Sequence, residues 1–174
     1  MRLLGDFFGR NADVVARDLL GKKIVRISSN GSKIAGIITE TEAYVGVKDK
    51  AAHSYAGRRT KRNEVMYGKA GIIYVYFTYG MHWLMNFVVS EKEDPQAVLI
   101  RGVDAISGPA RVTKYFQIGK DFYGEDLVES KRIWVEDIGI KYKENRISKL
   151  PRVGIDYAEE WKSKKLRFLV KSIK

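Results

Sequence analysis

Ile72-Ile-Tyr-Val-Tyr-Phe-Thr78 and Trp83-Leu-Met-Asn-Phe-Val-Val89 are two strongly patterned runs in the chain. Both are rich in β-branched and aromatic residues, which favour β-strands. Large side chains occur on both alternating faces of the first run, so both faces are expected to be largely covered. The residues between the runs, Tyr79-Gly-Met-His82, predict the connection of a β-hairpin with Tyr79 exposed at its tip. An antiparallel pair of strands is therefore expected here.

Further strands and two helices are predicted on either side of this hairpin. The strands are expected at residues 23–26, 33–43, 97–103, 132–135 and 166–170. The first two of these form a second hairpin around the turn Ser28-Ser-Asn-Gly31. One helix is predicted to follow an N-cap at Asn11, and another to run from Ser107-Gly-Pro to Gly119. Residues 121–150 give no indication of a site.

Length and composition are typical of one compact domain, which we expect to span residues 1–174. With 45% hydrophobic residues, the chain can bury one sizeable core. No run approaches the roughly 18 apolar residues of a membrane span, and the N-terminus lacks the pattern of a signal peptide. We therefore expect a protein without membrane attachment, located in the cytoplasm or, in a prokaryote, with the nucleoid. We also expect a monomer.

The chain contains no cysteine and only two histidines, His53 and His82. Without cysteine there is neither a disulfide nor a thiolate ligand or nucleophile, and two isolated histidines make a poor zinc site. Catalysis is therefore expected to use no metal.

Positive charge is unevenly distributed along the chain. The formal net charge is +11, and residues 51–90 hold five Lys or Arg against one acid. Within that segment a basic loop, residues 57–63, carries the cations Arg58, Arg59, Lys61 and Arg62. Four cations in five residues suit contacts to phosphates, so the loop is predicted to bind a nucleic-acid backbone. A merely solvated loop is the alternative.

Residues 39–54 place two carboxylates, a tyrosine and a histidine at the end of an apolar run. In a regular strand Ile34 and Ile38 share one face with Glu40 and Glu42. Such a strand would deliver a carboxylate from the core to the mouth of a site, where a half-buried carboxylate beside aromatic rings could act as a base. Solvated charges at the end of a strand are the alternative.

Tyrosines cluster directly after the basic loop, with Tyr67, Tyr74, Tyr76 and Tyr79 falling within thirteen residues. Aromatic faces stack on nucleobases while nearby cations hold phosphates. An enzyme that flips a nucleotide and hydrolyses its glycosidic bond would use a carboxylate to deprotonate water and an arginine to orient both. Taken alone, each tyrosine could equally be an ordinary strand residue.

The chain also resembles a known family, and seven groups of residues carry the resemblance. They are Glu40-Thr-Glu-Ala-Tyr-Val-Gly46, Ala51-Ala-His-Ser54, Arg59-Thr-Lys-Arg-Asn63 with Met66, Tyr74-Val-Tyr-Phe-Thr-Tyr-Gly-Met81, Leu84-Met-Asn86, Val98-Leu-Ile-Arg101, and Arg152-Val-Gly-Ile155 with Leu166-Arg-Phe168. Over nearly its full length the chain is similar to the alkyladenine (3-methyladenine) DNA glycosylases of base-excision repair.

This resemblance implies a fold and an activity. The fold would be a single-domain α+β fold with a curved, mainly antiparallel sheet flanked by helices, like the C-terminal domain of formyltransferases. The protein would flip alkylated or deaminated purines out of double-stranded DNA and hydrolyse the N-glycosidic bond without a cofactor. It would be monofunctional and leave an abasic site. 3-Methyladenine, 7-methylguanine, hypoxanthine and ethenoadenine all remain candidate lesions.

Carried over residue by residue, the resemblance makes Glu42 the general base that activates water. Arg101 would help to hold Glu42, the water or a phosphate of the target nucleotide. Tyr44 and Tyr76 would sandwich the flipped base, and His53 would close the third side of the pocket and hydrogen-bond the purine edge.

The resemblance implies further roles around this pocket. Asn86 would reject guanine by crowding its exocyclic amine, and Tyr79, together with Met81, would intercalate from the minor groove. A backbone carbonyl in residues 152–155 would complete the water site. Glu40 would have a supporting role.

Two alternative functions remain open. In a binding module without catalysis, the tyrosines would stack on bases and Glu42 would merely neutralise Arg101. In a metal-dependent nuclease, Glu40, Glu42 and Asp49 would bind a divalent cation.

Overall fold

Nine strands form one sheet in the computed structural model, which describes residues 1–171. They are β1 (Lys23–Ile27), β2 (Lys33–Tyr44), β3 (Ile73–Thr78), β4 (His82–Val89), β5 (Gln96–Val103), β6 (Ile106–Ser107), β7 (Ile133–Glu136), β8 (Ile147–Leu150) and β9 (Arg167–Val170). The main path runs β3-β4-β5-β2-β1-β7, while β6 pairs with β5 and β9 pairs with both β2 and β8. Every pairing is antiparallel. The predicted strands are thus confirmed, and β6 and β8 were not foreseen.

Within the described residues, three α-helices pack near the sheet: α1 (Gly5–Phe8), α2 (Ala12–Asp18) and α3 (Pro109–Phe116). The single turns and short helices of 3₁₀ type are Tyr55–Gly57, Glu64–Tyr67, Lys120–Phe122, Glu144–Arg146 and Asp156–Ser163. α2 contacts β2 and β5, and α3 contacts β4 and β5. The prediction that α3 runs to Gly119 is wrong. Gln117 adopts a left-handed conformation (φ 54°), so the helix ends at Phe116.

The β3–β4 hairpin forms one edge of the main path and is confirmed. Thr78 pairs with His82, so the connection consists of residues 79–81 and is one residue shorter than predicted. Tyr79 lies at the tip and is 83% exposed. The expectation that both faces of the first strand are covered fails at its end, where Phe77 is 44% exposed.

Two compensating irregularities interrupt the pairing of β2 with β5. Glu40 pairs with Gly102, whereas the flanking pairs are Ile38 with Val103 and Thr41 with Ile100. Thr39 is therefore an extra residue in β2, and Arg101 is an extra residue in β5. Such bulges bend strands and re-aim side chains next to functional sites. A side chain at Gly102 would meet Cβ of Glu40 at 3.0 Å, so this close approach needs glycine.

The bulge changes which face of β2 points into the core. Ile38 and Ala43 both belong to the main core, and the Thr41 hydroxyl donates to the Ala16 carbonyl of α2 at 2.7 Å. The predicted common face of Ile38 and Glu42 is therefore wrong: the extra residue Thr39 shifts the alternation, so the even-numbered carboxylates leave the core face.

The helices and the core face of the sheet enclose the main hydrophobic core in a single compact α+β domain. The likeness to the formyltransferase C-terminal domain stays a prediction. Among residues 1–171, no helix has the length and apolar character needed to cross a membrane.

Candidate functional site

A cavity of about 550 Å³ opens between the β3–β4 hairpin, the end of β2 and the loop that follows β8. Seven of the side chains predicted for the site line it: Tyr44, His53, Arg62, Tyr76, Tyr79, Asn86 and Arg101. Residues that lie far apart in the chain therefore converge at one place. Glu42 neighbours this cavity through Tyr44, Arg101 and Val153, although its own side chain is fully buried.

The Glu42 carboxylate is held by three groups. The Tyr44 hydroxyl donates to Oε2 at 2.9 Å, and the Val153 amide N–H donates to Oε1 at 2.8 Å. Nε of Arg101 lies 3.5 Å from Oε1. Burial raises the pKa of Glu42, while Arg101, the Val153 amide, the Tyr44 hydroxyl and the Arg152 charge each pull it back down. The net result is a carboxylate that is more basic than an ordinary glutamate.

Arg101 is shared between two carboxylates. Its Nε lies 3.2 Å from Oε1 of Glu40, which is closer than its distance to Glu42. Nη1 of Arg167 binds the same Glu40 oxygen at 3.0 Å. The resemblance gave Arg101 the partners Glu42, the water or a phosphate, and the closer contact with Glu40 was not predicted. Glu40 thus neutralises two arginines, in agreement with a supporting role.

His53 and Tyr76 form an aromatic corner of the cavity, with ring centroids 4.6 Å apart at an angle of 72°. Nδ1 of His53 lies 2.8 Å from the Tyr74 hydroxyl. Which of the two groups donates depends on the tautomer of the neutral His53 ring.

His53 stays neutral over a wide pH range. Burial, together with the charges of Arg62 and Arg58, lowers the pKa of His53 to about 4. At neutral pH the ring is therefore uncharged and offers one N–H donor and one nitrogen acceptor. Tyr74 belonged to the predicted tyrosine cluster, but its hydrogen bond with His53 was not predicted, because it depends on how the loop packs against β3.

Tyr44 and Asn86 complete the polar lining of the cavity. The Arg152 guanidinium lies over the Tyr44 ring, 4.7 Å from the centroid of that ring. The Tyr44 hydroxyl faces Glu42. Asn86 pairs with Tyr74 across the hairpin, and its side-chain amide donates to the Tyr74 carbonyl at 3.2 Å. That bond orients the Asn86 side chain at the wall of the cavity.

The four cations of the basic loop are not equivalent. Arg59 pairs with Glu64 at 2.6 Å and with Glu93 at 2.7 Å. Nη2 of Arg62 donates to the Phe77 carbonyl at 3.2 Å, and its guanidinium lies 5.2 Å from the Tyr76 ring centroid. In the part of the chain that the structure describes, the side chains of Arg58 and Lys61 make no hydrogen bond or ion pair. These two cations are thus the most available for an external anion.

Sequence reasoning missed how the loop after β8 enters the site. It foresaw a carbonyl in residues 152–155, whereas the contact seen here is the Val153 N–H on Glu42. Asp49 had been considered a metal ligand, yet it forms a fully buried ion pair with Arg152. No group of three His, Asp or Glu side chains suited to hold a metal ion occurs within residues 1–171. The three carboxylates of the nuclease alternative therefore do not form one site.

Comparison with known proteins gives a consistent result. The sequence model described as "Methylpurine-DNA glycosylase (MPG)" matches residues 6–106 and 103–174. A protein of Clostridium botulinum (strain Loch Maree / Type A3) is 40% identical over 198 aligned residues, covering 98% of this chain and 96% of the relative. A protein of Clostridium perfringens (strain 13 / Type A) is 37% identical over 201 residues, covering 100% and 98%. Both relatives carry the name "Putative 3-methyladenine DNA glycosylase".

Proposed function

Because the chain belongs to the methylpurine-DNA glycosylase family, we propose that it flips an alkylated or deaminated purine out of duplex DNA and hydrolyses its N-glycosidic bond. The observation that carries this proposal is the buried Glu42 carboxylate beside a cavity with aromatic walls. Water supplies the nucleophile, and the products are a free base and an abasic site.

Glu42 acts as the general base in this proposal. It takes a proton from water as the water oxygen bonds to C1′ of the deoxyribose and the bond from C1′ to the purine breaks. Its raised pKa supports the role, because a base is most effective when its pKa lies closer to the working pH. The Tyr44 hydroxyl and the Val153 amide fix the carboxylate, and Arg101 adds positive charge beside it.

The flipped base occupies the cavity between Tyr44 and Tyr76. In this proposal Nδ1 of His53 accepts from the Tyr74 hydroxyl and Nε2–H donates to the base, so purines with an acceptor at that edge are favoured over adenine, whose exocyclic amine is a donor. Tyr79 fills the gap left in the duplex, with Met81 beside it at the hairpin tip. The basic loop contacts phosphates, mainly through Arg58, Lys61 and Arg62.

Release of free base from defined duplexes tests this function. Duplexes that each carry one 3-methyladenine, 7-methylguanine, hypoxanthine or ethenoadenine are incubated with the protein, and released bases are separated by chromatography. We expect release of at least one of these bases in the presence of a chelator, with strand cleavage appearing only after alkali. Binding without release would instead favour the binding module, and chelator-sensitive strand cleavage would favour the nuclease.

Neutralising the basic loop is expected to change the salt dependence of DNA binding. Arg58→Gln with Lys61→Gln should flatten the slope of log affinity against log salt by about 0.9 per lost contact, for damaged and undamaged duplexes alike. Arg59→Gln is the matched control in the same loop, since Arg59 is already paired with Glu64 and Glu93. Fluorescence anisotropy at several salt concentrations measures both. An unchanged slope in the double variant would remove the loop from the DNA interface.

Asn86→Ser is expected to relax discrimination against guanine. The shorter side chain leaves room for the exocyclic amine of guanine, while hypoxanthine lacks that amine and gains nothing. One group in a pocket typically changes selectivity at least roughly tenfold. Excision of guanine relative to hypoxanthine, each opposite thymine, measures the effect. Thermal unfolding is followed in parallel because serine also loses the bond to the Tyr74 carbonyl. A constant ratio of the two rates would contradict the role of Asn86.

A further inference from the structure

Asp49 and Arg152 form a fully buried ion pair next to the candidate site. Oδ2 of Asp49 lies 2.6 Å from Nη1 of Arg152, and Oδ1 lies 2.9 Å from Nη2, so the pairing is bidentate. Removing two charges from water is costly, and a buried ion pair is often no more stabilising than apolar residues of similar volume. A contribution to stability alone is therefore a weak explanation for burying this pair. Its hydrogen bonds also hold backbone groups of neighbouring segments in place.

The pair joins three separate segments of the chain. Asp49 accepts hydrogen bonds from the backbone N–H groups of Val45 and Ala51, both at 3.0 Å. Arg152 donates from Nη1 to the Ala43 carbonyl at 2.8 Å. The end of β2, the turn that leads to His53 and the loop after β8 are thus connected at one point.

Two of the groups that touch Glu42 depend on the position of Arg152. The Arg152 guanidinium lies over the Tyr44 ring, whose hydroxyl donates to Oε2 of Glu42. Val153 is the next residue in the chain, and its N–H donates to Oε1. A shift of Arg152 would therefore disturb both hydrogen bonds at once, on opposite oxygens of the same carboxylate.

Building on the proposed function of Glu42, we propose that Asp49 and Arg152 are positioning residues that hold the Tyr44 hydroxyl and the Val153 amide on the Glu42 carboxylate. The charged and titratable groups around Glu42 are Glu40, Tyr44, Tyr76, Arg101, Arg152, Tyr157 and Arg167. Asp49 does not touch Glu42 itself. It acts only through Arg152 and the backbone.

Asp49→Asn gives a test in which the sign of the effect is decisive. Removing a nearby negative charge would, by itself, make Glu42 easier to ionise and lower its pKa. Loss of the two hydrogen bonds that favour the ionised form would raise it instead. We expect the second effect to dominate, so the acid limb of the single-turnover rate moves to higher pH by about one unit.

Two comparison variants separate positioning from general loss of stability. Asp49→Glu keeps the negative charge but displaces the Arg152 guanidinium, so it should shift the acid limb of the rate in the same direction. This variant provides the test if Asp49→Asn fails to fold. Asp137→Asn breaks the ion pair with Lys22, which is 3.0 Å long and lies outside the site cavity. Asp137→Asn should change the unfolding temperature but leave the acid limb of the single-turnover rate at the same pH.

The pKa of Glu42 can also be read without any activity. In protein labelled with carboxyl-¹³C glutamate, the Glu42 resonance is assigned by its absence in Glu42→Gln and titrated in parent and Asp49→Asn. An upward shift supports the proposal whether or not a base is released, whereas absent base release counts only against the proposed function. A pKa that is unchanged or lowered, or rates that fall by one factor at every pH, would show that the pair is merely structural.

Discussion

Glu42→Gln is expected to slow excision of a damaged purine by about 10²- to 10⁴-fold, the usual contribution of a general base. An amide cannot take the proton of the attacking water. Glutamine has nearly the same volume, its oxygen can accept the Val153 N–H, and its NH₂ group can donate to the Tyr44 oxygen. Single-turnover kinetics with a hypoxanthine or alkylpurine duplex measures the rate, and lesion binding should persist.

Glu40→Gln is the matched control for this prediction. Glu40 is also buried and also contacts Arg101, but it faces a second arginine, Arg167. Loss of the Glu40 charge leaves the Arg101 and Arg167 guanidinium groups with less negative charge beside them, so the main effect is expected to be a lower thermal stability. If excision is abolished by Glu40→Gln and retained in Glu42→Gln, the base has been assigned to the wrong carboxylate.

The pH dependence should follow the raised pKa of Glu42. Activity of the parent protein is expected to fall on acidification through that pKa, above the value of about 4.3 typical of glutamate. His53, whose pKa burial lowers to about 4, becomes charged only in strongly acidic solution.

The same shift makes ionised Glu42 unfavourable for folding. Its pKa is higher in the folded than in the unfolded protein, so its cost is absent below the unfolded pKa and grows as pH rises to the folded pKa. Glu42→Gln should therefore unfold at a higher temperature than the parent at neutral pH, and lose this advantage below about pH 4. Thermal unfolding at several pH values measures the difference.

Tyr79→Ser is expected to give the second largest loss. Tyr79 is 83% exposed at the hairpin tip, so its removal costs little core packing. If its ring replaces the flipped base in the duplex, its loss forfeits a stacking contact worth about 1–3 kcal/mol, or roughly a five- to hundredfold slower excision. Stopped-flow fluorescence of 2-aminopurine beside the lesion measures flipping directly.

Tyr79→Phe keeps the aromatic ring and should retain most of the parent rate. If Tyr79→Phe excises the base as slowly as Tyr79→Ser, Tyr79 acts through a contact of its hydroxyl and not through stacking of its ring. A single-stranded substrate gives an independent check, because no duplex gap needs to be filled there. Tyr79→Ser should be nearly neutral on that substrate, and normal excision from duplex DNA would show that Tyr79 is not a wedge.

Local patterns were sufficient to predict seven of the nine strands within residues 1–171, and the hairpin tip. Residues 72–78 and 83–89 are rich in β-branched and aromatic side chains and flank a short connection that contains Gly80, and the structure confirms this hairpin. The face of β2 could not be predicted, because the extra residue Thr39 looks like any other strand residue in the sequence. Period-2 reasoning assumes a regular strand and therefore assigned Ile38 and Glu42 to one face.

The candidate site residues were found mainly through the family resemblance. The groups that contact them were not predicted. Glu42, His53 and Asn86 lie in recognisable motifs, but the Val153 amide on Glu42 is a backbone contact that any side chain at that position could supply. The Asp49–Arg152 pair spans about a hundred residues and depends on tertiary packing alone. Such long-range polar pairs leave no periodic signal in a single sequence.

The paired bulges also restrict how this chain can change in length during evolution. Deleting Thr39 alone would leave the extra residue of β5 without a counterpart and slip the pairing of one half of β2 by one residue, which turns side chains to the wrong face. The deletion that would restore the match is Arg101 itself. Substitutions at Thr39 are thus accessible one at a time, whereas insertions and deletions in this part of β2 can be accepted only together with a change at Arg101, which contacts Glu42.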